Sequence, residues 1–323
     1  MVRRAHHRPL HRGYPRPVPV SSVPRPATFP RAARDTLLAW FRAEGRPLAF
    51  RRTSDPYAIL VSEAMAQQTQ AARAAAYWER FMAQFPTIEA LAAASPADVL
   101  RAWQGLGYDR RGLALWRAAG VIVRDHGGVV PDTVEALDAL PGVGPYTARA
   151  VAALAFGRPV GAVDVNVRRV LGRVVAGSAD ALSAADTQVL ADRTVPADGP
   201  GEWTHAVMDL GATVCRSRSP RCDACPIRAW CRYAQTGQAT TAPRRAAPGI
   251  KPAAFPSTRR WLRGRILDRL RAAPDGTWVA LDAPIGTHEP AAVAVAARAM
   301  ARDGVLELGP DVDGSLVARL PTG

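Results

Sequence analysis

Lysine is almost absent from this chain. Lys251 is the single lysine among 42 basic residues, and every other cation is an arginine. Chemistry that needs an ε-amine therefore falls on one residue, which lies in a non-periodic Ala/Pro/Thr/Gly stretch. No apolar run is long enough to span a bilayer. Residues 1–30 lack the apolar centre of a secretory leader, so the expected location is the cytoplasm. The six histidines form no metal-binding pattern, and three of them (His6, His7, His11) fall in the first 30 residues. Only four cysteines are present, Cys215, Cys222, Cys225 and Cys231, bunched within 17 residues as C-x6-C-x2-C-x5-C. A disulfide framework spreads its cysteines to close longer loops, so this spacing points to reduced thiols around a metal centre. The Cys222-Asp-Ala-Cys225 step lets two sulfurs face one centre. By ligand type alone both zinc and a 4Fe–4S cluster fit.

The 323 residues suffice for about two domains, and 48 % hydrophobic content provides a sizeable core. The net charge of +14 and a pI near 10.9 suggest a polyanionic partner, with nucleic acid first. Residues 1–30, rich in Arg, His and Pro, read as a disordered basic arm. From Arg31 to Tyr233 the pattern is helical almost throughout. Runs at 58–76, 90–103, 110–124, 146–156, 163–175 and 183–194 predict an all-α domain. Ser95-Pro96-Ala-Asp98 carries a helix N-cap, a first-turn proline and a first-turn acid. Residues 234–257 read as a linker. Residues 258–323 read as a small α+β module: a helix through Trp261–Leu270, a strand at Thr277–Leu281, a helix at Glu289–Arg302, and a hairpin from 304–308 and 315–319. That order resembles a winged helix.

The second strong motif is Leu140-Pro-Gly142-Val-Gly144-Pro-Tyr146-Thr147-Ala148. Its glycines let the backbone approach a ligand closely, and the helix that follows presents free N–H groups, a combination suited to a DNA phosphate. One helix later comes Val163-Asp164-Val-Asn166-Val-Arg168. Glycine turn, aspartate and four-cysteine loop, in that order and spacing, resemble the helix-hairpin-helix DNA glycosylases with an iron–sulfur loop. Among these the chain is most similar to the adenine DNA glycosylases of the MutY type. The likeness also includes Ser62-Glu63-Ala-Met65-Ala-Gln67-Gln68-Thr69-Gln70, Trp103-Gln-Gly-Leu-Gly-Tyr108 and Met208-Asp-Leu-Gly-Ala212, and covers about residues 31–233.

The resemblance implies a mainly α helix-hairpin-helix fold and a set of roles. Cutting an N-glycosidic bond builds positive charge on the sugar and negative charge on the departing base, which calls for an acid and an anion. Glu63 is then the acid that protonates adenine N7, and its pKa must be raised by a dry pocket. Asp164 stabilises the cationic sugar, with Tyr146 and Asn166 assisting. Gln67 and Tyr108 wedge into the base stack while the target base is flipped out. Gly142, Gly144 and Arg168 contact DNA. The four cysteines hold one 4Fe–4S cluster, which shapes a loop whose Arg216, Arg218, Arg221 and Arg228 meet phosphates. The partner is mismatched duplex DNA, and the protein acts as a monomer.

Tyr146 stands where strand-nicking relatives carry a Schiff-base lysine, so a monofunctional enzyme is expected. The chain departs from the family in two places. Residues 258–323 are too short and too helical for the Nudix-like domain that reads 8-oxoguanine. Asp109 stands where many members have a second tyrosine. Two other readings compete with adenine excision. One is a glycosylase for mispaired uracil or thymine, or for a deaminated purine. The other is a non-catalytic, cluster-bearing DNA-binding protein, which would have no need of both Glu63 and Asp164.

Overall fold

The computed structural model describes residues 28–235, 254–309 and 315–322. Most of the expected arm and linker (residues 1–27 and 236–253) lies outside the described residues. Phe29, assigned to the arm, is buried and packs edge-on against Trp203 with ring centroids 5.3 Å apart. Among the described residues there are fourteen α-helices and three short strands, and no helix is long and apolar enough to cross a membrane. The expected mainly helical fold is observed.

Two hydrophobic cores divide the helical region. The first gathers α2 (Pro56–Ala66), α3 (Ala71–Gln84), α4 (Ile88–Ala93), α5 (Pro96–Ala102), α6 (Arg110–His126), α7 (Val134–Asp138) and α8 (Pro145–Phe156). The second gathers α1 (Arg31–Glu44), α9 (Val165–Leu171), α10 (Ala184–Thr194), α11 (Pro200–Asp209), the cysteine loop and α12 (Arg232–Gln235). Helix α2 is apolar nearly all round, with Tyr57–Val61 buried, as befits a helix enclosed by others. Asp55 caps it by accepting the Tyr57 N–H, and Pro56 opens it. Buried alanines at 148, 150, 152 and 153 on α8 let neighbouring backbones come close.

Two of the predicted helical runs are divided. The run at 58–76 breaks after Ala66 because Gln68 adopts a left-handed conformation (φ 54°). The exposed carbonyls at that helix end are taken by Arg111, which donates to Ala64, Met65 and Gln67. The run at 90–103 breaks at Ser95, whose hydroxyl accepts the Asp98 N–H at 3.0 Å. The break at 58–76 puts Gln67 and Gln68 in a loop.

The C-terminal module contains α13 (Arg259–Ala272), α14 (Pro290–Arg302) and a three-stranded antiparallel sheet. The sheet comprises β1 (Val279–Ala280), β2 (Glu307–Leu308) and β3 (Val317–Arg319), in the order β1-β3-β2. The expected hairpin is present, with Glu307 opposite Arg319 and Leu308 opposite Ala318. The module does not close a core of its own. Leu262, Ile266, Leu267 and Leu270 pack with Ala97, Leu100 and Leu113 of α5 and α6.

Candidate active site

The two cores meet where the motif residues converge. Glu63, on α2, is 6 % exposed. Burial is the main influence on its carboxyl and penalises the charged form. Tyr146 opposes this, the charge of Asp164 reinforces it, and Arg51 opposes it, leaving a pKa raised to about 7. Tyr146, on α8, is itself pushed well above the usual phenol range by burial and by the charges of Glu63 and Asp164. Its hydroxyl also reaches Met208 Sδ at 3.8 Å. Glu63, Tyr146 and Asp164 thus form one electrostatic cluster drawn from α2, α8 and the start of α9.

Asp164 is the N-cap of α9. Its Oδ1 accepts the N–H groups of Asn166 (2.8 Å) and Val167 (2.7 Å), and its Oδ2 accepts from Asn166 Nδ2 at 2.7 Å. The cap therefore fixes the carboxylate as well as the helix. Asn166 Oδ1 in turn accepts from Arg169 Nη2 at 2.7 Å. Arg169 goes on to donate to the carbonyls of Gly211 and Cys215, both at 2.7 Å. Gly211 has no alternative, because a Cβ there would lie 2.5 Å from Asn166 Cβ. Arg168, expected to reach DNA, is exposed, and its nearest protein partner is the Leu182 carbonyl at 3.5 Å.

Two openings are lined by sequence neighbours of the cluster, Ala64 and Thr147 in one and Ser62 in the other. A cleft of about 280 Å³ is lined by Gln67, Gln68, Tyr108, Arg111, Gly142 and Thr147 among others. It brings both wedge candidates and the glycine turn onto one surface. Gln67 Nε2 donates to Thr147 Oγ1 at 3.1 Å. Tyr108 is 48 % exposed and left-handed (φ 51°). In the turn between α7 and α8, Gly142 has φ 75° and would set a Cβ 2.5 Å from Ala114 Cβ, whereas a Cβ at Gly144 meets nothing within 4 Å. Gly142 thus shapes the turn, and Gly144 keeps it approachable.

The second opening, about 370 Å³, is lined by Phe41, Phe50, Arg51, Ser62, Glu202 and His205 among others. Two of its lining residues, Arg51 and His205, belong to a buried charged network. Asp209 is 1 % exposed and accepts from Arg46 Nε (2.8 Å) and from Arg51 Nη1 (2.8 Å) and Nη2 (2.7 Å). Burial pushes the Asp209 carboxyl up, but these hydrogen bonds outweigh it and hold it at about 2. Burial, with the charges of Arg51 and Arg46, drives His205 down to about 3, so its imidazole is neutral.

All four cysteines are free thiols and line one cavity together with Arg173, Val174, Leu210 and Tyr233. Among the described residues no three His, Cys, Asp or Glu side chains converge tightly enough for a single ion. Arg173, 4 % exposed, donates to Cys215 Sγ at 3.4 Å and to the carbonyls of Arg216 (2.8 Å) and Ser217 (3.2 Å). Arg216, Arg218, Arg221 and Arg228 are exposed around the loop, and Arg228 pairs with Asp223 at 2.7 Å.

The motif reading missed Arg111, Arg169, Arg173 and the Arg46–Arg51–Asp209–His205 network. One signal was available for Arg173 and Asp209: a charge inside an apolar run (Leu171-Gly-Arg173-Val-Val and Val207-Met-Asp209-Leu) has to be paired when buried.

Residues 61–191 match the family model of the HhH-GPD superfamily of base excision DNA repair proteins. That defines the class, a helix-hairpin-helix protein of base excision repair. Among solved structures, a thermostable thymine-DNA glycosylase aligns with TM-score 0.60 at 30 % identity, covering 64 % of this chain and 96 % of that one. An endonuclease III–DNA complex aligns at 0.56 and 23 % identity, over 64 % and 95 %, a likeness of fold. An adenine DNA glycosylase of Mycobacterium tuberculosis is 47 % identical over 262 residues, 78 % of this chain and 83 % of the relative. The human adenine DNA glycosylase is 44 % identical over 216 residues, 63 % and 40 % respectively. The chain belongs to the adenine DNA glycosylase family.

Proposed function

We propose that this chain is a monofunctional DNA glycosylase that excises adenine mispaired with 8-oxoguanine or guanine, acting on duplex DNA as a monomer. The observation that carries the reading is the pairing of a buried carboxyl at about 7, Glu63, with the capped carboxylate of Asp164. A carboxyl at about 7 is still half protonated at neutral pH, so Glu63 can give its proton to the base nitrogen as the glycosidic bond lengthens. Asp164 accepts three hydrogen bonds within its own turn, which hold its carboxyl group in place beside the cationic sugar; water then adds to the sugar carbon that lost the base and gives up its proton to the Glu63 carboxylate. Tyr146 supports both carboxylates, and Asn166 orients Asp164.

The opening beside Ser62 is the proposed home of the flipped base. Neutral His205 presents one donor and one acceptor, which suits the amino and ring-nitrogen edge of adenine. Gln67 and Tyr108 fill the gap left in the stack, and the Gly142–Gly144 turn and Arg168 hold the backbone. Tyr146 in place of an amine, with the only lysine at 251, leaves the abasic strand uncut.

The four cysteines are the proposed ligands of one 4Fe–4S cluster. A tetrahedral zinc site draws its sulfurs to about 4 Å from one another, whereas cysteines set around a cavity wall suit the wider cluster. Arg173, donating to Cys215 Sγ, adds the kind of hydrogen bond that such clusters receive. A cluster bound there would hold the basic loop against phosphates, while the proton given to the base would come from Glu63 of the helical region.

Glu63→Gln and Asp164→Asn test the assignment. Both should bind mismatched duplex as the parent does while releasing no base. Loss of duplex affinity without loss of the single-turnover rate would contradict it.

A further inference from the structure

The C-terminal module reaches the wedge loop with its own side chains. Tyr108 lies in the loop from Gly105 to Asp109, where Gly105, Gly107 and Tyr108 all have positive φ. A left-handed non-glycine residue carries backbone strain and persists only when its surroundings hold it. The Tyr108 ring has one guanidinium from within the helical region, Arg111 at 5.4 Å, and a second from α13, Arg260 at 5.1 Å. Asp109, next in sequence, is bound by Arg271 of α13 at 2.5 Å. The Arg271 side chain is only 7 % exposed and also donates to the Leu100 carbonyl at 3.0 Å. The module is fastened around this point by Arg101–Asp275 at 2.5 Å and by Asp303, which takes Arg110 (3.2 Å) and Arg263 (2.7 Å).

We propose that the module braces the wedge: Arg260 and Arg271 are positioning residues that hold Tyr108 ready for insertion, acting through its ring and through Asp109. The inference rests on the reading of Tyr108 as the wedge. Asp109 then has a role of its own. A tyrosine at 109 would remove the carboxylate that holds Arg271 at 2.5 Å and leave it Asp268 of its own helix at 3.6 Å, so the aspartate and the module belong together. A helix that merely contacted phosphates would need no buried arginine turned inward to a loop carboxylate.

The test uses the full chain and a duplex with 2-aminopurine in place of the target adenine, whose fluorescence rises on extrusion. Arg260→Ala should lower extrusion and the single-turnover rate about three- to thirtyfold, the range of a partly desolvated cation–π contact, with duplex Kd within about twofold. Asp109→Asn should do the same without removing the buried arginine. The double variant Tyr108→Ala/Arg260→Ala should be no slower than Tyr108→Ala alone, because both changes act through one side chain. Arg269→Ala, an exposed arginine of the same helix, should behave as the parent. Weaker Kd and a shallower salt dependence for Arg260→Ala and Arg269→Ala alike, with extrusion unchanged, would make α13 a plain phosphate-binding face and overturn the brace. If Tyr108→Ala lowers extrusion but Arg260→Ala and Asp109→Asn do not, the brace alone fails. If Tyr108→Ala itself leaves extrusion unchanged, the wedge reading fails and the brace with it.

Discussion

Arg169 joins the Asp164 cap to the cysteine loop. Its Nη2 donates to Asn166 Oδ1 at 2.7 Å, its Nε donates to the Cys215 carbonyl at 2.7 Å, and Asn166 holds Asp164 Oδ2 at 2.7 Å. Two side chains, Asn166 and Arg169, thus lead from a proposed catalytic carboxylate to the backbone of a proposed cluster ligand. Removing Arg169 leaves Asn166 Oδ1 and the Cys215 carbonyl without their charged donor, each such bond being worth about 1.5–3 kcal/mol. Arg169→Ala should slow single-turnover adenine release by about tenfold or more and lower the iron content of the purified protein. Arg169→Lys, which keeps the charge but loses the fork, should recover only part of the rate. A parent-like rate and metal content in Arg169→Ala would contradict the connection.

Glu63 gives a pH prediction with a definite sign. Its folded pKa, about 7, lies above the ordinary 4.5, so the folded state binds the proton more tightly than the unfolded state does. Stability should fall as pH rises from about 4.5 to about 7 and level off above, by up to about 3 kcal/mol. Glu63→Gln should remove that dependence. The variant should be inactive yet more stable than the parent at pH 8, with the difference vanishing near pH 4, as followed by urea melts. Single-turnover release by the parent should decline above about pH 7 as the acid ionises.

Asp209 gives the opposite sign. With its folded pKa held at about 2, its stabilising effect is complete above the ordinary carboxylate range and is lost as pH falls towards 2. Asp209→Asn leaves Arg46 and Arg51 facing a neutral group at a site 1 % exposed. It should cost about 3–5 kcal/mol in a denaturant titration at neutral pH. A cost below about 1 kcal/mol would mean that the arginines find other partners.

The two hairpin glycines should separate. Gly142→Ala forces a Cβ to within 2.5 Å of Ala114 at φ 75°, so it should lose about 1–3 kcal/mol of stability as well as DNA affinity. Gly144→Ala meets nothing within 4 Å and should keep its Tm while binding duplex more weakly. Equal behaviour of the two would count against backbone recognition of phosphate at this turn.

Residues that lie in short motifs were legible in the sequence. Glu63, Tyr146, Asp164 and the cysteines each sit in a local pattern, and the structure brings the first three into one cluster and the four cysteines around one cavity. The residues that serve these groups from elsewhere were not legible. Arg111 reads as an ordinary helix arginine until the end of α2 is seen to depend on it. The Asp109–Arg271 pair spans 162 positions, and neither residue carries a pattern of its own. The break at Gln67 was hidden because alanine runs on both sides favour helix, and the tertiary contact that stops it comes from α6. The module at 258–323 read as separate, since nothing in its own sequence shows that Leu262 and Leu270 share a core with Leu100 and Leu113.

The most direct test of the central reading is single-turnover base release on labelled duplexes. These carry adenine opposite 8-oxoguanine, adenine opposite guanine, uracil or thymine opposite guanine, and hypoxanthine opposite thymine, with alkali added afterwards to cut abasic sites. Cleavage of the two adenine duplexes alone, and only after alkali, is the predicted result. Release of uracil, thymine or hypoxanthine with adenine untouched, or strand cutting before alkali, would contradict it.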